Sequence, residues 1–270
     1  MLKKSYILLC ALFLGTLALP AQLQEYLPAD NYGGKSQLRE FIKEVMYYPG
    51  EARDNKVEGT VKVAFHVKKD GTIMDTRIKQ SLSPETDAEA LRMLSYLLFE
   101  PASARGAAFS EEKTLEFEFK LRRYKRCVRQ RGYDKLEYPF LPVDSSMKIF
   151  SSKQLDQAPK PRYPDESPTF INFMLRNLNY PDAAVKQSIS GTVELFFVVE
   201  PWGGISNLKI EDGVGAGCNE EAIRLVRLLR WMPGVKDGKA VRTRMNLSIS
   251  FNLSDFENHR YVPAGNQNQI

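Results

Sequence analysis

The sequence has few of the residues on which most enzymes and metal sites depend. It contains 2 histidines and 3 cysteines among 270 residues. His66 falls on the outward side of an alternating segment and His259 lies near the C-terminus, so neither has a visible acid or nucleophile as a partner. No Cys-x-x-Cys pattern is present, which leaves metal and redox roles with little support. Histidine-based catalysis is therefore not expected.

Other motifs of catalytic sites are also missing. The acid pairs Glu116 with Glu118 and Glu220 with Glu221 are patterns typical of solvated surface. A glycine-rich stretch at 213–217 precedes a predicted helix but lacks the lysine of a phosphate-binding loop. The sequence predicts a protein that is not an enzyme and that binds no cofactor and no metal.

Long hydrophobic runs are absent beyond the first residues. Lys3 and Lys4 precede an apolar run from Ile7 to Leu19, and Leu19-Pro20-Ala21 resembles a cleavage site. Thirteen apolar residues are too few to span a bilayer, which takes about 20. Lipidation at Cys10 is not favoured, because leucines precede it and the apolar run continues past it. Residues 1–21 are thus predicted to be a cleaved export signal.

A strong charge of one sign is absent too. The formal net charge is +5, and it falls to about +3 without Lys3 and Lys4, which is too little to indicate nucleic acid binding. About 249 residues remain after the signal, enough for two small domains.

What the sequence does contain is an internal repeat. Shifted by 132 residues, it matches itself without a gap: Tyr48-Pro49 aligns with Tyr180-Pro181, Gly59 with Gly191, and Phe119 with Phe251. The shared positions are mostly glycines, prolines and apolar residues, which specify a fold rather than a chemistry. One small fold therefore occurs twice.

Each repeat predicts the order helix, strand, strand, helix, strand. Residues 60–67 alternate between apolar and polar, and Asp70-Gly71 provides a tight turn into a second strand at 73–78. Asp87, and Asn219 in the second copy, are predicted to cap the long helix. A short amphipathic helix precedes each Tyr-Pro pair. The fold class is therefore α+β: two small αββαβ domains, each a three-stranded antiparallel sheet covered on one face by helices.

Taken in order, these motifs resemble a known domain. Tyr-Pro-x-x-Ala, Gly-Thr-Val, a glycine turn, Glu-Ala-Leu/Ile-Arg, Phe/Trp-x-Pro and a final alternating strand are present in both repeats. Each repeat is similar to the C-terminal domain of TonB, the energy transducer of Gram-negative envelopes. The resemblance implies a periplasmic protein without enzymatic activity.

The resemblance also implies a binding site. Domains of that family bind a short peptide of outer-membrane receptors by pairing it with the third strand, as an added strand of the sheet. The partner would be such a receptor peptide or another envelope protein. The implied partner-binding residues form two edge strands: Leu115, Glu116, Phe117, Glu118 and Phe119 in the first repeat, and Leu247, Ser248, Ile249, Ser250 and Phe251 in the second.

The chain departs from the TonB pattern in three respects. A full TonB resembles an anchored rod, with an uncleaved membrane helix, a proline-rich spacer and one such domain. This sequence has a predicted cleavable signal, no proline-rich spacer before the first repeat, and two domains. Peptide binding fits these departures better than energy transduction by this protein alone.

The predicted organisation has five parts. They are the signal (1–21), the first TonB-like domain (36–122), a basic and aromatic linker (123–169), the second domain (170–254) and a polar tail (255–270). A cluster of basic residues runs from Arg122, the last residue of the first domain, into the linker. One interpretation of this cluster is contact with anionic lipid or an acidic partner. A solvated charge run is the other.

Three questions stay open at this level. Cys127 and Cys218 could form one disulfide in an oxidising compartment, or could both be free thiols. The two repeats could pack on each other as a pseudo-dimer in a scaffold protein without a role in transport. Phe196 and Val198 favour that alternative, because they place apolar groups where repeat one has Ala64 and His66. The oligomeric state is not determined by the sequence.

Overall fold

A computed structural model describes residues 26–140 and 142–254 of the chain. The predicted export signal, the predicted tail and His259 lie outside the described residues. No helix among the described residues is long and apolar enough to cross a membrane.

The described residues form seven α-helices and one short 3-10 helix at Ser152–Gln154. The helices are α1 (Gly34–Val45), α2 (Gly50–Asp54), α3 (Pro84–Ser95), α4 (Leu121–Arg131), α5 (Phe170–Asn177), α6 (Asp182–Lys186) and α7 (Cys218–Leu228).

Fifteen strands accompany them, eight of which form the two main sheets. The strands are β1 (Tyr26–Leu27), β2 (Asp30–Asn31), β3 (Gly59–Val67), β4 (Ile73–Gln80), β5 (Phe99–Glu100), β6 (Ala102–Ala104), β7 (Ala107–Phe109), β8 (Glu111–Phe119), β9 (Ile149–Ser151), β10 (Lys160–Arg162), β11 (Gly191–Val199), β12 (Ile205–Asp212), β13 (Arg230–Met232), β14 (Gly234–Lys236) and β15 (Lys239–Phe251).

The predicted αββαβ unit is present in both repeats. Repeat one has an antiparallel sheet in the order β4-β3-β8, and repeat two has the equivalent order β12-β11-β15. The first strand of each repeat lies at the centre of its sheet. Its inward-facing side chains are buried under the helices, as at Val61, Val63 and Phe65. Each sheet thus has its own apolar core.

The unit is larger than predicted, since short strands outside the motif complete it. The segment before the first helix pairs with the strand after the long helix: β2 with β5 in repeat one, β10 with β13 in repeat two. β10 lies in the segment predicted to be a linker. Part of that segment therefore belongs structurally to the second repeat.

The repeated sequence motifs make the same contacts twice. The hydroxyl of Tyr48 donates to the carbonyl of Val57, as the hydroxyl of Tyr180 does to that of Ile189 at 2.6 Å. These bonds fix the loop that follows each Tyr-Pro pair. A buried tyrosine needs such a partner for its hydroxyl, which explains why the pair recurs.

A second repeated contact joins the two helices of each unit. Glu89 pairs with Arg92 at 2.7 Å and accepts a hydrogen bond from the backbone N–H of Tyr47 at 2.8 Å. Glu221 and Arg224 repeat the pair at 2.7 Å. Glu221 is buried, so the prediction that this acid is solvated surface is wrong: its carboxylate holds the end of α5 through the N–H of Asn179.

The predicted caps of the long helices are also wrong. α3 begins four residues earlier, because Ser83 and Thr86 form a reciprocal capping box around Pro84. The carboxylate of Asp87 instead accepts from the N–H of Leu82. In repeat two the cap is Gly217, in the left-handed region at φ 89°.

The two repeats pack directly against each other. Tyr32 of repeat one meets the ring of Phe196 edge to face at 5.4 Å, and Val198 is fully buried. Helix α1 lies against β12. At Gly33 a Cβ atom would stand only 2.0 Å from the carbonyl oxygen of Leu208, so only glycine allows this approach.

Several polar groups buried in this contact are paired, whereas the indole Nε1 of Trp202 has no hydrogen-bond partner among the described residues. Arg242 and Glu200 form an ion pair at 2.9 Å, and the guanidinium also donates to the carbonyl of Tyr96 at 2.8 Å. Burial raises the pKa of Glu200, while Arg242 and Ser206 act in the opposite direction. Trp202, in the turn between β11 and β12, inserts into the core of repeat one.

Candidate functional site

The first predicted edge lies on β8. Its side chains alternate as expected: Leu115, Phe117 and Phe119 are buried in the core, while Glu116 is exposed and Glu118 half-buried. β8 pairs with β3 along its whole length, and no other described strand pairs with it. The far edge of β8 therefore has backbone groups free to accept an added strand.

The second predicted edge lies on β15 and is only half open. β14 pairs with β15 at Lys239–Val241, and β9 pairs with it in parallel at Arg242–Arg244. From Met245 to Phe251, β11 is the only described strand beside it. The predicted residues 247–251 fall within this open half.

A cleft runs beside the β8 edge. It has a volume of about 190 Å³, and it is walled by α1 on one side and by α4 on the other. Leu38 and Ile42 of α1, Met46 just after α1, and Cys127 of α4 supply its apolar lining, and Glu116 and Glu118 line it from the strand. An edge strand flanked by such a cleft provides both backbone groups and a surface for side chains.

Arg131 fixes the distance between the two helices. Its guanidinium donates to the carbonyls of Lys43 at 3.0 Å, Glu44 at 2.7 Å and Met46 at 2.8 Å, which are the carbonyls at the end of α1. It also donates to the carbonyls of Tyr133 and Asp134 beyond α4. The planar guanidinium has five N–H donors and can therefore bond several carbonyls at once.

Tyr124 anchors α4 on the domain. Its ring is buried against Tyr48 at 5.3 Å, and its hydroxyl donates to the carboxylate of Asp134. Burial first, and then the bond to Asp134, raise the pKa of Tyr124 to about 12. α4 is thus part of the folded domain, not a flexible spacer.

The two acids of the cleft are neutralised by neighbouring cations. Glu116 pairs with Lys62 at 2.8 Å. Glu118 pairs with Lys120 at 2.5 Å and with Arg123 at 2.7 Å. Lys120 first, and Arg123 after it, hold the pKa of Glu118 below its usual value.

The predicted basic cluster lies on α4. Arg122, Lys125, Arg126 and Arg129 are exposed, and none has an acidic partner among the described residues. This helix was not predicted from the sequence. The apolar spacing of Leu121, Tyr124 and Val128 was the available signal, but the charged residues around it obscured the pattern.

The two cysteines are free thiols in the structure. Cys218 is buried in the core of repeat two, and Cys127 faces the cleft of repeat one. The structure therefore agrees with the second of the two alternatives left open by the sequence, in which Cys127 and Cys218 are both free thiols.

His66 is the one histidine among the described residues. The imidazole Nδ1 of His66 lies 3.6 Å from the carboxylate of Asp75, at the surface. Within 26–140 and 142–254, no group of three or more His, Cys, Asp or Glu side chains gathers in a way that could hold a metal ion.

The repeat contact leaves the predicted edges uncovered. The pseudo-dimer alternative has the repeats burying their edges, yet repeat one contributes α1, Tyr32 and the end of α3, and repeat two contributes β12 and its turn. Among the described residues no strand of repeat one pairs with a strand of repeat two, so the contact between the repeats uses neither β8 nor the open half of β15 for strand pairing.

Comparison with known proteins adds one finding. The model of the family described as Gram-negative bacterial TonB protein C-terminal matches the chain twice, at residues 44–121 and 176–253, which together cover more than half of the chain. No curated protein matches the chain.

Proposed function

The chain belongs to the family of Gram-negative TonB C-terminal domains, and from this we propose that it binds an extended segment of an outer-membrane receptor or another envelope protein by strand addition. Domains of this family are protein-interaction modules of the envelope. The open edge of β8, with a cleft beside it, is the observation that carries the proposal. The periplasm is the compartment in which such a segment would be met.

The physics of strand addition favours a weak single site. Five added residues make four or five main-chain hydrogen bonds, each worth a net of about 0.5–1.5 kcal/mol. Association costs about 4–15 kcal/mol. A single edge therefore needs side-chain contacts in a cleft to bind measurably. Two tethered edges that engage one partner would raise avidity by about 10²–10⁴.

We propose no enzymatic role. The site offers backbone donors and acceptors, an apolar lining and paired charges, and these suit recognition. A link to TonB-dependent outer-membrane transport is part of the proposal, since the family's partners lie there.

A scaffold without a role in transport is the second candidate. The direct packing of the repeats favours it, because Trp202 and the Glu200–Arg242 pair are buried in the contact. A scaffold of this kind would leave both edges unused.

An NMR titration of the purified protein distinguishes the two candidates. Peptides that correspond to the TonB-binding segments of receptors from the same organism are added, and amide shifts are followed. Shifts concentrated on 115–121 or 247–253 support strand addition and identify the active repeat. The absence of shifts at millimolar peptide leaves the scaffold.

A further inference from the structure

We infer that the two edges select different segments: the cleft beside β8 takes an acidic extended segment, whereas the β15 edge does not select by negative charge. This inference rests on the proposed function and deepens it. It concerns the side chains around the edges, because main-chain pairing alone cannot tell one segment from another.

The lining of the β8 cleft limits what can enter it. A strand added to β8 alternates its side chains between the two faces of the sheet, and one set points toward the helices. There they meet Leu38, Ile42 and Cys127. We therefore expect apolar side chains of the segment to enter the cleft, and its charged side chains to contact the rim.

The rim carries uncompensated positive charge. Lys35 and Arg39 line the cleft, are exposed, and have no acidic partner in the described part of the chain. The acids of β8, Glu116 and Glu118, are already paired with cations. An incoming carboxylate thus meets free cations and no free acid, which favours negative charge and disfavours positive charge.

Helix α4 extends this positive rim on the opposite wall. Arg126 and Lys125 stand exposed one turn away from Arg129 and Arg122, on the side of α4 that faces solvent. Their field falls off over about 8–10 Å at ordinary salt. Any of these cations within that distance of a bound segment attracts its carboxylates without direct contact.

The equivalent positions in repeat two have lost the charge. The shift of 132 residues places Ser167 at the position of Lys35, Ile171 at that of Arg39, and Leu175 at that of Lys43, a cation that pairs with Glu40 in repeat one. Ile171 is 70% exposed and Leu175 51%. The wall beside the β15 edge therefore presents apolar surface where the first repeat presents cations.

The selecting elements lie outside the matched domain. The family match covers 44–121, whereas Lys35 and Arg39 precede it and the cations of α4 follow it. The charge selection is thus a property of the helices that this chain places around the domain, not of the matched region.

Three short synthetic peptides test the inference on the full chain. They share one alternating apolar segment and differ only in flanking glutamate, glutamine or lysine residues, and their binding is measured by fluorescence anisotropy and by amide shifts on β8 and β15. We expect the acidic peptide to bind the β8 edge about fivefold to tenfold more tightly than the neutral one, since a few exposed ion pairs contribute modestly each. Raising the salt from about 0.05 to about 0.5 M should reduce the preference.

Matched variants assign the preference to the rim. Lys35→Gln with Arg39→Gln should remove most of it, whereas Lys153→Gln with Lys160→Gln, which changes the net charge equally at exposed positions outside the cleft, should leave it. Ile171→Arg with Leu175→Lys should give the β15 edge an acidic preference of its own.

The outcomes separate the two levels of the proposal. If no peptide of any charge shifts β8 or β15, the proposed function itself fails. If all three bind β8 equally, strand addition stands and the charge selection is overturned. An acidic preference that survives loss of Lys35 and Arg39 also overturns it.

Discussion

The side chain of Asn207, in repeat two, forms hydrogen bonds to the backbone of repeat one. Its Oδ1 accepts from the N–H of Leu98 at 2.7 Å, and its Nδ2 donates to the carbonyl of Tyr96 at 2.9 Å. Asn207 is buried and has a φ of 54°. Asparagine suits both demands, because it tolerates the left-handed region and its amide can donate and accept.

Replacing Asn207 should therefore destabilise the protein more than its backbone strain alone explains. Asn207→Ala loses both hydrogen bonds to repeat one and a third to the hydroxyl of Ser206, and it adds left-handed strain, for a total of about 3–5 kcal/mol. The aligned Asp75 has a φ of 52° but is exposed, and its pairing with His66 lies at the surface, so Asp75→Ala should cost about 1–2 kcal/mol, mostly from strain. Urea denaturation measures both. Equal losses would show that the contact between repeats contributes nothing.

The sequence alone did not identify Asn207. Asp75 and Asn207 are both small polar residues after a turn, and the same backbone bulge accounts for both. Their difference arises from the neighbour: solvent at Asp75, and the loop after α3 at Asn207. A neighbour distant in sequence cannot be deduced from local pattern.

At the scale of elements, α4 is positioned by one side chain at its end. Arg131 gathers carbonyls from the end of α1 and from the segment after α4. A lysine at this position offers one ammonium in place of a planar fork and cannot reach acceptors on both sides. The width of the cleft therefore depends on this arginine.

Arg131→Lys should loosen α4 while the charge is preserved. We expect a loss of about 2–3 kcal/mol from the missing hydrogen bonds, faster hydrogen exchange in α4 and weaker peptide binding at β8. Arg129→Lys is the matched control, because Arg129 is exposed and has no acidic partner in the described ranges. Similar exchange rates in α4 for both variants would contradict the role of Arg131.

Most elements of the two domains could be predicted from sequence, because their signals are local. The alternation at 60–67, the Asp70-Gly71 turn and the helical spacing before Pro101 correspond to β3, the hairpin and α3. The short strands β9, β10 and β14 were not predicted. They are three residues long and exist through pairing with distant strands, so three-residue segments carry no period of their own.

The candidate site was predictable in part. The repeat alignment and the family resemblance place the edge strands, and the structure leaves β8 and the end of β15 uncovered in the described residues. The cleft was not predictable, because it depends on where α1 and α4 pack beside β8. Binding at these edges stays a prediction.

At the scale of the molecule, Trp202 couples the two repeats. It belongs to a turn of repeat two but is 8% exposed within the core of repeat one, with its ring 5.2 Å from that of Tyr96 and 6.3 Å from that of Tyr138. Phe196 and Val198, whose apolar side chains favoured packing between the repeats, are also buried. The repeats should therefore unfold together.

Trp202→Ala should separate their unfolding. Loss of a buried indole costs about 3–5 kcal/mol, and we expect the single thermal transition of the native protein to split into two. The aligned Asp70 is exposed, so Asp70→Ala should leave one transition with nearly the same midpoint. Calorimetry follows both. One sharp transition in the tryptophan variant would mean that other contacts suffice.

The contact between the repeats joins two different surfaces, and this has a consequence for assembly. A heterologous contact leaves one unused surface on each of the two units, and identical units joined in this way continue to add until they form a ring or an open filament. Repeat one carries Lys68, Asp70 and Asp75 where repeat two carries Glu200, Trp202 and Asn207. A further unit that approaches repeat one's own turn meets charge instead of an inserting indole. The sequence differences between the two turns therefore disfavour the addition of a further unit at the turn of repeat one.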